Sequence, residues 1–115
     1  VSTRGQLLAL AYPAPRAIAI ADLPDPIYVR VITGAERDAW EQAIATESRG
    51  GRAVANVMGR FVALALSDER GARICTDADA DALGAWPHAR LRAVFEAAIA
   101  HNAMGIDDAA AEKKS

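Results

Sequence analysis

Residues 27–41 read Ile27-Tyr28-Val29-Arg30-Val31-Ile32-Thr33-Gly34-Ala35-Glu36-Arg37-Asp38-Ala39-Trp40-Glu41, and the period of the pattern changes inside them. Up to Ile32 it is two: Ile27, Val29 and Val31 share one face of a strand, Tyr28, Arg30 and Ile32 the other. Thr33-Gly34-Ala35-Glu36 is a capping box, in which the threonine oxygen accepts from the amide of the third helical residue while Glu36 reaches back to the cap. Ala39, Trp40, Ala43 and Ile44 then recur at helical spacing, so a helix should run to about Thr46. A strand that feeds directly into a capped helix makes the chain α+β.

Working outward, residues 16–21 place Ile18 and Ile20 on one face of another strand. Asp22-Leu23-Pro24-Asp25-Pro26 lies between the two runs, a turn composition of hairpin length, so an antiparallel hairpin is expected. Leu7, Leu8 and Leu10 suggest a short helix that stops at Pro13, because proline disfavours helix in the residue before it. Downstream, Ser48 to Arg52 is a glycine-containing break. Residues 53–67 read as the next helix, apolar almost all round and therefore central: Val54, Val57, Met58, Phe61, Val62, Leu64 and Leu66. Gly71 suits a left-handed turn, Arg73 to Cys75 a short extended piece, and Thr76 the cap of a short helix through Leu83. Pro87 suits the start of a last helix, whose Leu91, Val94, Phe95 and Ile99 form one stripe. The fold expected is a mainly helical α+β single domain with an N-terminal β-hairpin over residues 1–106, followed by a flexible polar tail at 107–115. Its core should contain Val29, Val31, Trp40, Ile44, Val57, Phe61, Leu64, Leu91 and Phe95.

The 115 residues leave room for one domain. Hydrophobic residues make up 52% but aromatics only 5%, so much of the apolar content is alanine, which favours thin, closely packed helices. A formal charge of −2 with scattered basic residues gives no reason to expect nucleic acid. No stretch approaches a membrane span. Gln6 to Tyr12 is too short for the usual core of a signal peptide, and the single cysteine, Cys75, fits a reducing cytosol.

The chemistry-bearing residues assemble no active site. Counting an EF-hand loop from Asp77 puts Ala82 and His88 where glycine and glutamate are needed, so Asp77, Asp79 and Asp81 read as solvated acids at a helix start. His88 and His101 do not share a spacing suited to one metal, and Cys75 has no ligand neighbour. Arg49-Gly50-Gly51-Arg52 lacks the lysine of a phosphate loop. No catalysis, metal or cofactor is therefore expected. Tryptophan serves both cores and interfaces. Trp40, at helical spacing, is assigned to the core. Trp86, just ahead of a helix, is a candidate partner-binding residue, together with Tyr28 and Ile32 on the strand face opposite Val29.

Three segments resemble one family. Residues 27–41 are similar to the "VxVRxLTGxERDxFE" stretch of phage tail assembly chaperones, residues 60–86 to their "RxxxLxLxDExGxxLFxxEDxxxLG" stretch, and residues 91–105 to their closing "LxRxFExAxxLNGL" helix. Order and spacing agree over roughly residues 16–106. Cys75 stands where an aromatic is common, and Ala103-Met104-Gly105 replaces the usual Gly-Leu. The resemblance implies a protein of a long-tailed phage or prophage, made in the cytoplasm of the bacterial host. It would coat the helical tape-measure protein, recruit tail-tube subunits and leave the finished tail. The alternative is a structural tail or head-tail connector subunit retained in the virion. The resemblance further implies a longer, frameshifted form, for which the Lys113-Lys114 pair marks a place where a slippery run of adenines would lie. The oligomeric state is left open, a homo-oligomer included.

Overall fold

The hairpin forms where the two-residue period and the proline-rich turn place it. In the computed structural model, which describes residues 3–51 and 53–102, β1 (Arg16–Ile18) pairs antiparallel with β2 (Ile27–Val29), Ala17 lying opposite Tyr28. A two-residue strand, β3 (Leu66–Ser67), takes the other side of β2 with Val29 opposite Leu66, giving a three-stranded sheet in the order β1-β2-β3. The helices are α1 (Thr3–Leu8), α2 (Gly34–Ser48), α3 (Val57–Ala65), α4 (Ala80–Gly84) and α5 (His88–His101). Short 3₁₀ turns follow α2 at Arg49–Gly51 and precede α4 at Asp77–Asp79. This is a mainly helical α+β single domain. The stretch 107–115, expected to be a flexible tail, lies outside the described residues.

The centre is α3, where six of nine residues are buried. It packs on α4 and α5, and its run continues into the sheet through Leu66. Phe61 is fully buried and meets Trp40 and Phe95 edge-on, with ring centroids 5.2 and 5.8 Å away. From α5, Leu91, Val94 and Ala98 close the core, and from the hairpin Ile20 and Val29.

The structure corrects several expectations. The helix read over 53–67 is shorter at both ends. It starts at Val57 because Asn56 adopts a left-handed backbone (φ 54°) as its cap. It stops at Ala65 because Leu66 turns extended to pair with Val29. An unbroken apolar run carries no period to mark such a change. Of the residues expected in the core, Val31, Trp40, Ile44, Val57 and Phe95 are only half-buried, Trp40 and Phe95 packing against it from outside. For Ile44 the reason is that α2 has no buried residue at all and rests on the body mainly through Trp40. Ile32 departs in the other direction. Offered above to a partner, it is 7% exposed and belongs to the core. The regular ladder ends at Val29, so the alternation that put Ile32 on an outer face no longer applies.

Asn56 also fixes how closely α3 and α4 approach. Its amide donates to the Ala80 carbonyl at 2.8 Å. A β-carbon added to Gly59 or to Gly84 would stand 2.3 Å from its Oδ1. Both glycines are therefore spaces for one side chain. Gly84→Ala should cost about 1–3 kcal/mol, the usual range for forced overpacking. In an Asn56→Gly background, which keeps the left-handed backbone permissible and removes the clash, the same change should cost less than about 0.5 kcal/mol. Urea unfolding of the four proteins in this cycle measures the difference.

Candidate partner-binding surface

A buried polar joint determines which surfaces remain free. Arg30 follows β2, and its side chain is 8% exposed. It donates through Nε and Nη2 to the Leu64 carbonyl (3.0 and 2.8 Å) and through Nη1 and Nη2 to the two Glu36 oxygens (2.9 and 2.7 Å). Leu64 sits in the last turn of α3, where carbonyls lack intrahelical partners. Glu36 completes the capping box, accepting from the Thr33 amide at 2.8 Å while the Thr33 hydroxyl accepts from the Glu36 amide at 3.1 Å. Asn102, at the end of α5, closes the set. Its Oδ1 accepts from the Ile32 amide (2.8 Å), and its Nδ2 donates to the carbonyls of Arg30 (3.0 Å) and Ala98 (2.8 Å). The chain leaving β2, the start of α2 and the end of α3 are thus joined by charge-assisted hydrogen bonds, and the end of α5 by part-buried ones.

The Arg30 hydrogen bonds, outweighing burial and helped by the Thr33 amide, lower the Glu36 carboxyl from 4.5 to about 2. The folded value lies below the unfolded one, so the unfolded chain binds the proton first as the medium is acidified. The stabilisation from Glu36 is fully present above the unfolded value and is lost as pH falls towards the folded one. The stability gap between wild type and Glu36→Gln should therefore be constant above about pH 5 and shrink between there and about pH 2. Urea midpoints across that window measure it.

Of the residues the sequence offered to a partner, the structure assembles no common site. Tyr28 is half-buried in the middle strand, opposite Ala17 and Ser67. Ile32 is in the core. Trp86 is half-buried against the core, with the Arg90 guanidinium 5.8 Å from its ring centroid. A cleft beside Trp86 is walled by Val54, Val57, Met58 and Leu91, and neither Tyr28 nor Ile32 lines it.

The large exposed apolar side chains lie elsewhere. Leu7, Leu8 and Leu10 are 62%, 72% and 74% exposed, and α1 contains no buried residue. A second feature is a groove of about 600 Å³ between β1 and α5, with Ile18, Ile20, Ala93 and Val94 in its lining and the two arginines Arg16 and Arg90 beside them. The sequence suggested a short helix from Leu7, Leu8 and Leu10 that stops at Pro13; α1 ends earlier, at Leu8, so Leu10 lies past it. The exposure of these leucines among the described residues depends on how the rest of the chain packs, which no local pattern reports.

A cleft of about 310 Å³ under α2 includes Trp40, Arg60, Arg73 and Asp77 in its lining. Among the described residues, the charged side chains that share this cleft are paired with one another or with neighbours. Its arginines are engaged: Arg60 with Glu47, and Arg73 with Asp77 at 3.1 Å. The Trp40 indole N–H is buried and lacks a hydrogen-bond partner among the described residues. Burial, and next the charge of Asp79, raise the Cys75 thiol above its ordinary value, which disfavours the nucleophilic thiolate. His101 Nε2 lies 2.9 Å from the Ala14 carbonyl and holds the chain ahead of β1. Among the described residues no cluster of three or more His, Cys, Asp or Glu could hold a metal ion, and no helix is long and apolar enough to cross a membrane. What the arrangement offers chemically is apolar surface beside a hydrogen-bonded frame. Comparison with protein-family models, with curated proteins and with solved structures returns no match.

Proposed function

We propose that this chain is a tail assembly chaperone of a long-tailed bacteriophage, which binds the tape-measure protein and recruits tail-tube subunits in the host cytoplasm without catalysing a reaction. The observation that carries the reading is the polar joint. Arg30 and Glu36 come from the first of the three segments that resemble the chaperones, Leu64 from the second, and Ala98 and Asn102 from the third. Segments that depend on one another through buried and part-buried hydrogen bonds have a physical reason to occur together in a fixed order. The likeness is then one of a whole domain rather than of three unrelated stretches. The uncovered leucines of α1 add support, since a protein that keeps a long helical partner from aggregating must present apolar surface to it.

Co-expression with the tape-measure protein of the same phage tests this. The tape-measure protein should become soluble and co-purify with the chain. Equal insolubility with and without the chain, together with no capture in a pull-down, would remove the reading. Mass spectrometry of purified virions separates the alternative, because abundant copies in the particle would mark a structural tail or connector subunit. Adding divalent metals or nucleotides should leave Tm unchanged, as specific binding to the folded form would raise it.

A further inference from the structure

Helix α2 is 15 residues long, yet none of them is buried. Its first turn belongs to the polar joint through Glu36. Over residues 40–48, Trp40 is the apolar side chain that packs against the core, edge-on to Phe61, and Glu47 the polar one that reaches another element, pairing with Arg60. Neither contact holds strongly. The Glu47 and Arg60 side chains are 47% and 25% exposed, so water screens much of their attraction. The Trp40 indole N–H is buried without a hydrogen-bond partner, so the closed position strands a donor that opening would return to water. Ala39 and Ala43 border the cleft of about 310 Å³, and that face of α2 forgoes part of the dispersion contact a packed helix makes. At its far end the chain leaves α2 through Gly50 and Gly51, both at φ 80°. A β-carbon at either would meet nothing within 4 Å, so this exit is not packed on the body.

We propose that residues 40–48 form a strap that opens as one unit while the sheet, α3, α4 and α5 stay folded, uncovering the Phe61 ring and the cleft floor at Leu64 and Ala80. A helix of this length without a packed face is marginal in water, so the segment loses its helix once Trp40 leaves Phe61. The first turn stays with the body through Arg30, and the two glycines take up the change of direction. Phe61, Leu64 and Ala80 are buried in the closed form. Opening therefore turns core into accessible apolar surface without global unfolding. The inference does not rest on the chaperone reading, since it concerns this chain alone.

Native-state hydrogen exchange of the intact chain, followed amide by amide by NMR, is the test. Amides of residues 40–48 should share one protection factor, at least ~100-fold below those of residues 61–65 in α3. Val94→Ala truncates a buried side chain on the side of α5 that faces β1, away from the strap. It destabilises the closed and the opened form alike, so α3 protection should fall about tenfold or more while residues 40–48 stay within about twofold of wild type. Trp40→Ala should leave the domain folded, with the signals of α3 and α5 retained and those of residues 40–48 moved to unstructured positions. Equal protection in α2 and α3, or a parallel fall of both with Val94→Ala, would overturn the proposal. So would protection that declines stepwise towards Ser48, as in a fraying end, or global unfolding of Trp40→Ala.

Discussion

Phe61→Ala should lower the stability of this domain by about 3–5 kcal/mol, the range for removing a large aromatic side chain from a packed core. The position justifies the upper part of that range. Phe61 is fully buried in the central helix, between Trp40 of α2 and Phe95 of α5. Because α2 buries no residue of its own, the ring against which Trp40 packs is a principal attachment of that helix. Truncation would therefore leave a cavity and also loosen α2, with a red shift of Trp40 emission before global unfolding. Small domains of this kind have about 5–15 kcal/mol in total, so the variant should be close to its unfolding limit at room temperature. Urea titration followed by circular dichroism and by tryptophan fluorescence measures both effects. A loss below about 1 kcal/mol would show that α3 is peripheral. Phe61→Leu, which keeps most of the volume, should lose markedly less.

What could be read from the sequence divides by range. The capping box was legible because Thr33 and Glu36 satisfy each other's amides within one turn, and both bonds are present. The hairpin was legible because the turn residues and the two-residue period are adjacent. β3 was not legible: Leu66 and Ser67 are extended because Val29 and Tyr28 pair with them, and nothing in the run from Phe61 to Leu66 marks the change. Ile32 was misplaced for a similar reason, since Asn102, distant in sequence, takes its amide and draws it inward. The candidate surface was the least legible part. Leu7, Leu8 and Leu10 announce an apolar helix, but exposure is a property of what the rest of the fold fails to cover. The groove exists only once β1 and α5 are side by side.

The second large effect belongs to Arg30. Arg30→Ala should cost about 2–4 kcal/mol, somewhat below the penalty for removing one partner of a fully buried ion pair, because the Glu36 side chain is 27% exposed. The loss has two sources. The Leu64 carbonyl, which accepts from two guanidinium nitrogens, would be left in the last turn of α3 without its partner. The Glu36 carboxylate would lose a bidentate cation while remaining partly shielded from water. Arg30→Lys restores charge but not the fork, and a single ammonium cannot serve both acceptors from that position, so it should recover only part of the stability. Arg30→Met with Glu36→Gln should be milder than the sum of the two single changes, because the second removes the charge that the first strands. A loss for Arg30→Ala within about 0–1 kcal/mol, the range of exposed pairs, would mean that water screens the joint despite its burial. A loss in the predicted range, shared by Asn102→Ala at smaller size, would identify the junction of β2, α2, α3 and α5 as one cooperative unit. It would also show that residues far apart in this chain each supply a group that the others leave unsatisfied.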